Sequence, residues 1–185
     1  MHFNVWDKII RKEILDHNCI RFPEQVAYED IYFGALLHLY VRKVAYVDAI
    51  YYHYYINPAS TVLKKEAAYH GDIITVNEML VETLKERGFW ETYQKSLEID
   101  LLFIWYLATV KIICLRFEKP PYEMFCRLKR SILFYIPECL KNPYIPVYMK
   151  EFYQLLLKLL EIEVTPPVLD QVAEQYKQYV QTYEG

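Results

Sequence analysis

Residues 101–110 have the sequence Leu-Leu-Phe-Ile-Trp-Tyr-Leu-Ala-Thr-Val, the longest apolar run of this 185-residue chain. A membrane-spanning helix needs about 18 to 20 apolar residues, and Lys111 ends this run well before that length. The run therefore predicts a helix that is buried inside a protein core. The composition favours such a core, because 54% of the residues are hydrophobic and only 24% are charged.

Helical patterns surround this run on both sides. Apolar residues recur at helical spacing, and prolines such as Pro137 and Pro143 interrupt the patterns. Ser60 or Thr61 is expected to cap the first helix of the group, because a hydroxyl accepts hydrogen bonds from first-turn amides. The predicted helices cover about 61–87, 89–116, 121–135, 144–162 and 167–183. They predict a helical bundle over residues 61–185.

The first 60 residues have a mixed pattern. Residues 8–17 and 28–42 show helical spacing, whereas residues 44–55 are rich in β-branched and aromatic side chains. The second kind of pattern predicts one or two short strands. We therefore predict a mainly α protein with two domains, a small α/β domain over residues 1–60 and the helical bundle over residues 61–185.

The charges and the small residues exclude some classes of protein. The 21 basic and 24 acidic side chains give a net charge of -3, so no basic surface for a nucleic acid is expected. The four glycines are too few for a glycine-rich phosphate loop. Cys19, Cys114, Cys126 and Cys139 include no Cys-x-x-Cys pair, and they predict reduced, buried thiols of a cytoplasmic protein.

Five short pieces of the first 60 residues follow the order and spacing of a known family. They are Val-Trp-Asp-Lys-Ile at 5–9, Ile-Arg-Phe-Pro-Glu at 20–24, Tyr-Glu-Asp-Ile-Tyr-Phe at 28–33, Ile-Tyr-Tyr-His-Tyr at 50–54 and Asn-Pro-Ala-Ser at 57–60. The set resembles the second half of the catalytic domain of family 2 glycosyltransferases, which have the GT-A fold. The resemblance implies that residues 1–60 are the acceptor-side remnant of a GT-A lobe. It also implies that the complete enzyme transfers a sugar from a nucleotide-diphosphate donor to a saccharide or lipid-linked acceptor.

The chain departs from the family pattern in several places. Asp7 stands where asparagine is usual, Ala59 stands where glycine is usual, and no arginine follows the tyrosine-rich segment. The sequence also contains no Asp-x-Asp, the metal motif of the family's nucleotide-binding half. We therefore expect that the donor-binding half is absent and that this chain alone transfers no sugar. The complete enzyme is expected to use Mg²⁺ or Mn²⁺, and no metal or cofactor is expected on this chain alone.

Glu29 and Asp30 are the candidate catalytic residues. A carboxylate is sufficient to take the proton from an acceptor hydroxyl, and the start of a helix favours the ionised form. The resemblance implies that Asp30 is the base and that Glu29 orients it or binds the acceptor. The same pair is also typical of acidic residues that only stabilise the first turn of a helix.

Three further residues are candidate substrate-binding residues. Trp6 offers a flat face for a pyranose ring, and Lys8 offers a positive charge for a diphosphate. The alternative is that Trp6 packs beneath the helix starting near Tyr28 and that Lys8 is solvated. His53 lies in the predicted strand, where it either reaches a phosphate or a metal or is a packing residue.

The partners and location follow from the same reasoning. The basic amphipathic segment 126–135 predicts either peripheral contact with the inner face of an anionic membrane or an ordinary helix with a solvated cationic face. The complete enzyme is expected to bind a nucleotide-sugar and a glycan acceptor in the cytoplasm. Self-association is expected because apolar surface would be left uncovered. The alternative function is a non-enzymatic helical interaction or dimerisation module derived from such an enzyme.

Overall fold

The computed structural model describes residues 5–55 and 64–183. The α-helices in these ranges are α1 (Lys12–His17), α2 (Glu29–Tyr40), α3 (Asp72–Glu86), α4 (Phe89–Leu101), α5 (Ala108–Leu115), α6 (Tyr122–Tyr135), α7 (Ile145–Tyr148), α8 (Glu151–Leu157) and α9 (Pro166–Tyr183). Short 3-10 turns lie at Ala68–Gly71, Cys139–Lys141 and Lys158–Leu160. The prediction of a mainly α protein is therefore confirmed.

Most of the apolar run at 101–110 is buried in the core. A π-helical turn at Leu102–Leu107 joins α4 to α5, so the helix predicted over 89–116 is nearly continuous. Trp105 and Tyr106 are fully buried. The Tyr106 hydroxyl donates a hydrogen bond to the carbonyl oxygen of Leu156 at 2.7 Å, which ties this helix to α8. Over residues 5–55 and 64–183, no helix combines the length and the apolar character needed to cross a bilayer.

Helix α2 packs the first part of the chain onto α3. The buried side of α2, which includes Phe33, belongs to the same apolar core as Ile73 of α3. The hydroxyl oxygens of Tyr32 and Thr83 are hydrogen-bonded at 3.0 Å. The predicted domain boundary near residue 60 lies outside the described residues.

Residues 44–55 do not form the predicted strands. The structure gives them neither a helix nor a strand, and their large side chains are exposed. A strand needs a neighbouring strand for its backbone hydrogen bonds, and no described segment pairs with these residues. The expected α/β element is therefore not present as a sheet in the part of the chain that is described.

Helix α3 begins later than predicted, at Asp72. The residues before it are bonded to the end of α5. The backbone N–H of Glu66 donates a hydrogen bond to the carbonyl oxygen of Arg116 at 3.0 Å. Glu66 also has a positive φ of 54°, which is incompatible with a right-handed helix at that point. The predicted caps Ser60 and Thr61 lie outside the described residues.

The four cysteines are free thiols. Burial raises the pKa of the Cys114 thiol to about 12 and that of the Cys139 thiol to about 11. The prediction of buried thiols is wrong for Cys19, which is exposed in the turn after α1. Cys126 is half-buried.

Candidate functional site

Glu29 and Asp30 are the first two residues of α2. Glu29 is exposed and Asp30 is half-buried. Burial, followed by the charge of Glu29, raises the pKa of the Asp30 carboxyl above its ordinary value. Backbone N–H groups of Ile31 and of Asp30 itself act in the opposite direction, so this carboxyl lies close to the first-turn amides. The sequence predicts that the helix start favours the ionised carboxyl, but burial and the charge of Glu29 outweigh the first-turn amides at Asp30. A raised pKa brings a carboxyl closer to the working range of a general base.

The turn that precedes α2 is hydrogen-bonded to residues near the start of α3. Tyr28 has a left-handed backbone conformation, with φ of 65° and ψ of 22°. Its hydroxyl lies 2.6 Å from Nδ1 of His70, 42 residues later in the chain. The backbone N–H of Ala27 donates a hydrogen bond to Oδ2 of Asp72 at 2.9 Å. Both anchors lie at the N-terminal end of α3.

His70 is the buried centre of this arrangement, with 1% of its surface exposed. Its Nε2 lies 2.9 Å from the carbonyl oxygen of Lys64, which can only accept a hydrogen bond, so Nε2 carries the hydrogen. In the neutral ring, Nδ1 then accepts from the hydroxyl of Tyr28. Burial raises the pKa of Tyr28 to about 12, so this hydroxyl keeps its hydrogen at ordinary pH. The rings of Tyr69 and Phe117 flank the imidazole, at centroid distances of 4.8 and 5.7 Å.

Trp6 lies against the tyrosine-rich segment. Its ring stacks on Tyr52 and Tyr54, with centroid distances of 4.7 and 5.4 Å. The two tyrosines are two positions apart, as expected for side chains on one side of an extended chain. Trp6 remains 44% exposed, and within the described residues no ring contact joins it to α2. The structure therefore groups Trp6 with residues 52 and 54.

Lys8 and His53 lie in the same neighbourhood as Trp6. The Lys8 ammonium is 2.5 Å from Oδ1 of Asp7, so it forms an ion pair and is not simply solvated. His53 lies between the two tyrosines that stack on Trp6, and its side chain is exposed. The packing interpretation of His53 is therefore not supported, and its role as a phosphate or metal contact stays a prediction.

A cleft of about 810 Å³ lies beside the start of α2. Its lining residues are Ile31, Ser96, Ile99, Asp100, Phe103, Ile104, Ala108, Tyr144 and Tyr148. Ile31 is the residue of α2 that lines the cleft, and Asp30 precedes it in the chain without being a lining residue. The rings of Tyr144 and Tyr148 are exposed at its edge, with centroids 6.1 Å apart. The π-helical turn supplies Phe103 and Ile104, and π-helical turns occur frequently at functional sites.

The residues near α2 do not fit a metal centre. In the ranges that the structure describes, no group of three or more histidine, cysteine, aspartate or glutamate side chains is placed to hold a metal ion. Glu29 and Asp30 belong to no such group within those ranges. No step of the chemistry is therefore assigned to a metal on this chain.

The basic segment of α6 is partly used within the protein. Arg127 binds Glu78 at 3.1 Å and donates a hydrogen bond to the Thr75 hydroxyl at 2.8 Å. Lys129 donates a hydrogen bond to the carbonyl oxygen of Leu159 at 2.9 Å, whereas Arg130 is exposed. Two of the three basic side chains therefore connect helices, and membrane contact stays a prediction.

His70 and Asp72 were not predicted from the sequence as parts of the site. They occur in the stretch Ala-Tyr-His-Gly-Asp at 68–72, which matches no motif. Their importance arises from contacts with Ala27 and Tyr28, across 42 to 45 residues. No local signal in the sequence announces such contacts.

Comparisons with models of protein families, with curated proteins and with solved structures give no match for this chain. The resemblance to family 2 glycosyltransferases thus stays a hypothesis carried by the ordered pieces in the first 60 residues.

Proposed function

We propose that this chain is the acceptor-side part of a family 2 glycosyltransferase, in which Asp30 takes the proton from an acceptor hydroxyl. The nucleotide-diphosphate sugar would bind on a half of the enzyme that carries an Asp-x-Asp motif. The observation that carries the proposal is the half-buried Asp30 carboxyl, whose pKa is raised by burial and by the charge of Glu29, at the start of a helix that contributes Ile31 to a cleft of about 810 Å³.

The proposed reaction places one saccharide hydroxyl against Asp30. The hydroxyl oxygen bonds to the anomeric carbon of the donor sugar as its proton passes to the Asp30 carboxylate. The bond from that carbon to the diphosphate oxygen breaks, and the nucleoside diphosphate leaves with the electron pair. The exposed Glu29 is suited to accept a hydrogen bond from a neighbouring hydroxyl. Tyr144 and Tyr148 offer aromatic faces on which a sugar ring can stack.

Acceptor binding can be tested on the 185-residue chain itself. Lactose, cellobiose and chitobiose would each be titrated into ¹⁵N-labelled protein. We expect chemical-shift changes at Ile31, Phe103 and Tyr148 for at least one saccharide, and weaker binding after Asp30→Asn. Val147→Ala is a matched control, because Val147 is exposed on α7 and does not line the cleft. Unchanged spectra with all three sugars would contradict the acceptor role.

Two further measurements test whether the donor binds elsewhere and whether Asp30 is the base. Calorimetric titration of UDP-glucose and UDP-N-acetylglucosamine with Mg²⁺ or Mn²⁺ is expected to show no binding to this chain. Micromolar affinity would refute the expectation that the donor-binding half is absent. In a longer chain that contains an Asp-x-Asp half, Asp30→Asn is expected to lower kcat by roughly 10²- to 10⁴-fold, the usual contribution of a general base. Turnover near the wild-type value would overturn the assignment of Asp30.

The second candidate function is a non-enzymatic interaction module. It is favoured by the exposure of residues 44–55, where Val44, Tyr46 and Ile50 expose 88%, 89% and 81% of their surface. These apolar side chains lie within one segment of the chain, and large exposed apolar patches commonly mark a contact with another protein. We expect concentration-dependent dimers in sedimentation equilibrium, weakened by Ile50→Lys and unaffected by Val147→Lys on α7. A monomer at all concentrations would exclude dimerisation through this segment.

A further inference from the structure

We infer that His70 is a positioning residue for the proposed base: together with Tyr28 and Asp72 it fixes the turn from which α2 starts, and thereby the place of Asp30. The importance of Asp30 for catalysis depends on the proposed function. The positioning itself is a property of this chain and can be tested without any sugar transfer.

The turn before α2 needs support from outside. A tyrosine with a φ of 65° is in a backbone region that residues other than glycine rarely adopt. The side chain of the N-cap residue, Tyr28, makes no capping hydrogen bond. The support comes instead from the hydrogen bond between the Tyr28 hydroxyl and His70 and from that between the Ala27 amide and Asp72. Each bond reaches one of two consecutive residues of the turn.

The imidazole of His70 is itself rigidly held. It is buried, it donates a hydrogen bond from Nε2 to the carbonyl oxygen of Lys64, and it lies between the rings of Tyr69 and Phe117. Asp72 is the first residue of α3, whose apolar side is part of the core. The turn is therefore tied to the most constrained part of the fold.

The position of Asp30 depends on this tie through a short path. The carbonyl oxygen of Tyr28 accepts a hydrogen bond from the backbone N–H of Ile31 at 3.1 Å, so the first turn of α2 is built directly on residue 28. Asp30 lies within that turn, and its charge also acts on the Tyr28 hydroxyl. If the turn at Tyr28 relaxes, Asp30 is expected to gain contact with water, and its pKa is expected to fall toward the ordinary value.

Two substitutions of His70 separate its two hydrogen bonds. An asparagine side chain carries an acceptor near the place of Nδ1, so His70→Asn keeps a partner for the Tyr28 hydroxyl. A glutamine side chain carries a donor near the place of Nε2, so His70→Gln keeps only the bond to the Lys64 carbonyl. Tyr28→Phe removes the hydroxyl and leaves His70 intact.

The experiment measures two native-state quantities by NMR. They are the pKa of the Asp30 carboxyl, followed by its ¹³C shift, and the hydrogen-exchange rate of the Ile31 amide. Tyr28→Phe and His70→Gln are expected to lower that pKa and to speed exchange about five- to tenfold, which corresponds to one lost hydrogen bond. His70→Asn is expected to leave both near the wild-type values. An exchange rate measured in α9 serves as the control for general loosening.

The outcomes distinguish this inference from the proposed function. The inference is refuted if Tyr28→Phe leaves the Asp30 pKa and the Ile31 exchange unchanged, or if His70→Asn behaves like His70→Gln. It is also refuted if the ¹⁵N shifts of His70 show the hydrogen on Nδ1 and not on Nε2. Should the His70 variants not fold, Tyr28→Phe alone decides. A failure of saccharide binding with the expected pKa changes intact would refute the proposed function and leave the positioning role standing.

Discussion

The substitution Asn142→Ala tests how the fold accommodates a buried carboxylate. Glu98 in α4 is 1% exposed, and its carboxylate accepts hydrogen bonds from the side chains of Gln94 at 2.8 Å, Lys95 at 3.1 Å and Asn142 at 2.9 Å. Asn142 is itself 3% exposed and also donates to the carbonyl oxygen of Lys95 at 2.7 Å. Its side-chain oxygen accepts from the amide of Tyr144 at 3.0 Å. One amide thus joins the middle of α4 to the loop before α7.

The expected loss of stability follows from these three bonds. A hydrogen bond to a charged group contributes about 1.5 to 3 kcal/mol, and a bond to a neutral backbone group about 1 kcal/mol. Water that enters the space left by Asn142→Ala restores part of this energy, and Glu98 keeps its bonds to Gln94 and Lys95. We therefore expect the free energy of unfolding to fall by about 3 kcal/mol.

Urea denaturation gives this free energy, and a second substitution shows where it originates. In the double-mutant cycle with Glu98→Gln, the two changes are expected to couple by about 1 to 2 kcal/mol, because the two side chains are in contact. Asn18→Ala is the matched control, since within the described residues its side-chain amide donates one hydrogen bond, to the carbonyl oxygen of Ile14 at 2.8 Å. That change is expected to cost about 1 kcal/mol. A loss for Asn142→Ala no larger than for Asn18→Ala, or strict additivity with Glu98→Gln, would refute the reasoning.

Three further predictions concern the backbone, the acid range and the thiols. Gly88→Ala is expected to lower the free energy of unfolding by about 1 kcal/mol, because Gly88 has a φ of 72° and an added Cβ would meet no atom within 4 Å; an unchanged urea midpoint would contradict it. The raised pKa of Asp30 stabilises the native state below the ordinary aspartate pKa, and this contribution is lost as the pH rises through the native value. Asp30→Asn is therefore expected to gain stability relative to the wild type between acid and neutral pH, and a constant difference in urea titrations across that range would be evidence against it. A thiol reagent at mildly alkaline pH should modify Cys19 in the native protein and reach Cys114 and Cys139 only on unfolding, because burial raises the pKa of the latter two. Mass spectrometry that finds Cys114 and Cys139 modified as fast as Cys19 would exclude this.

The helices were predictable where local signals suffice. The helix predicted at 121–135 is α6 at Tyr122–Tyr135, and that predicted at 167–183 is α9 at Pro166–Tyr183. In both, apolar residues keep helical spacing and prolines mark the start. These signals act within a few residues, so a single sequence contains them.

The errors occurred where structure depends on distant partners. Residues 44–55 have the composition of a strand, but a strand also needs a neighbour, and the described residues supply none. The helix expected from about residue 61 is displaced to Asp72 because Glu66 is bonded to the end of α5. Local propensity suggested a structure for both segments, but contacts with distant residues determined the structure that forms.

The candidate site shows the same division between local and distant causes. The acidic pair at 29 and 30 correctly predicts a helix start, yet the start itself is a left-handed tyrosine without a local cap. Its supports, His70 and Asp72, belong to the part of the sequence that was assigned to the helical bundle. A fragment that ends at residue 60 would lose both supports and also the side of α3 against which α2 packs. The residues at and just before α3 therefore hold the turn from which α2 starts, and the candidate site depends on both parts of the chain.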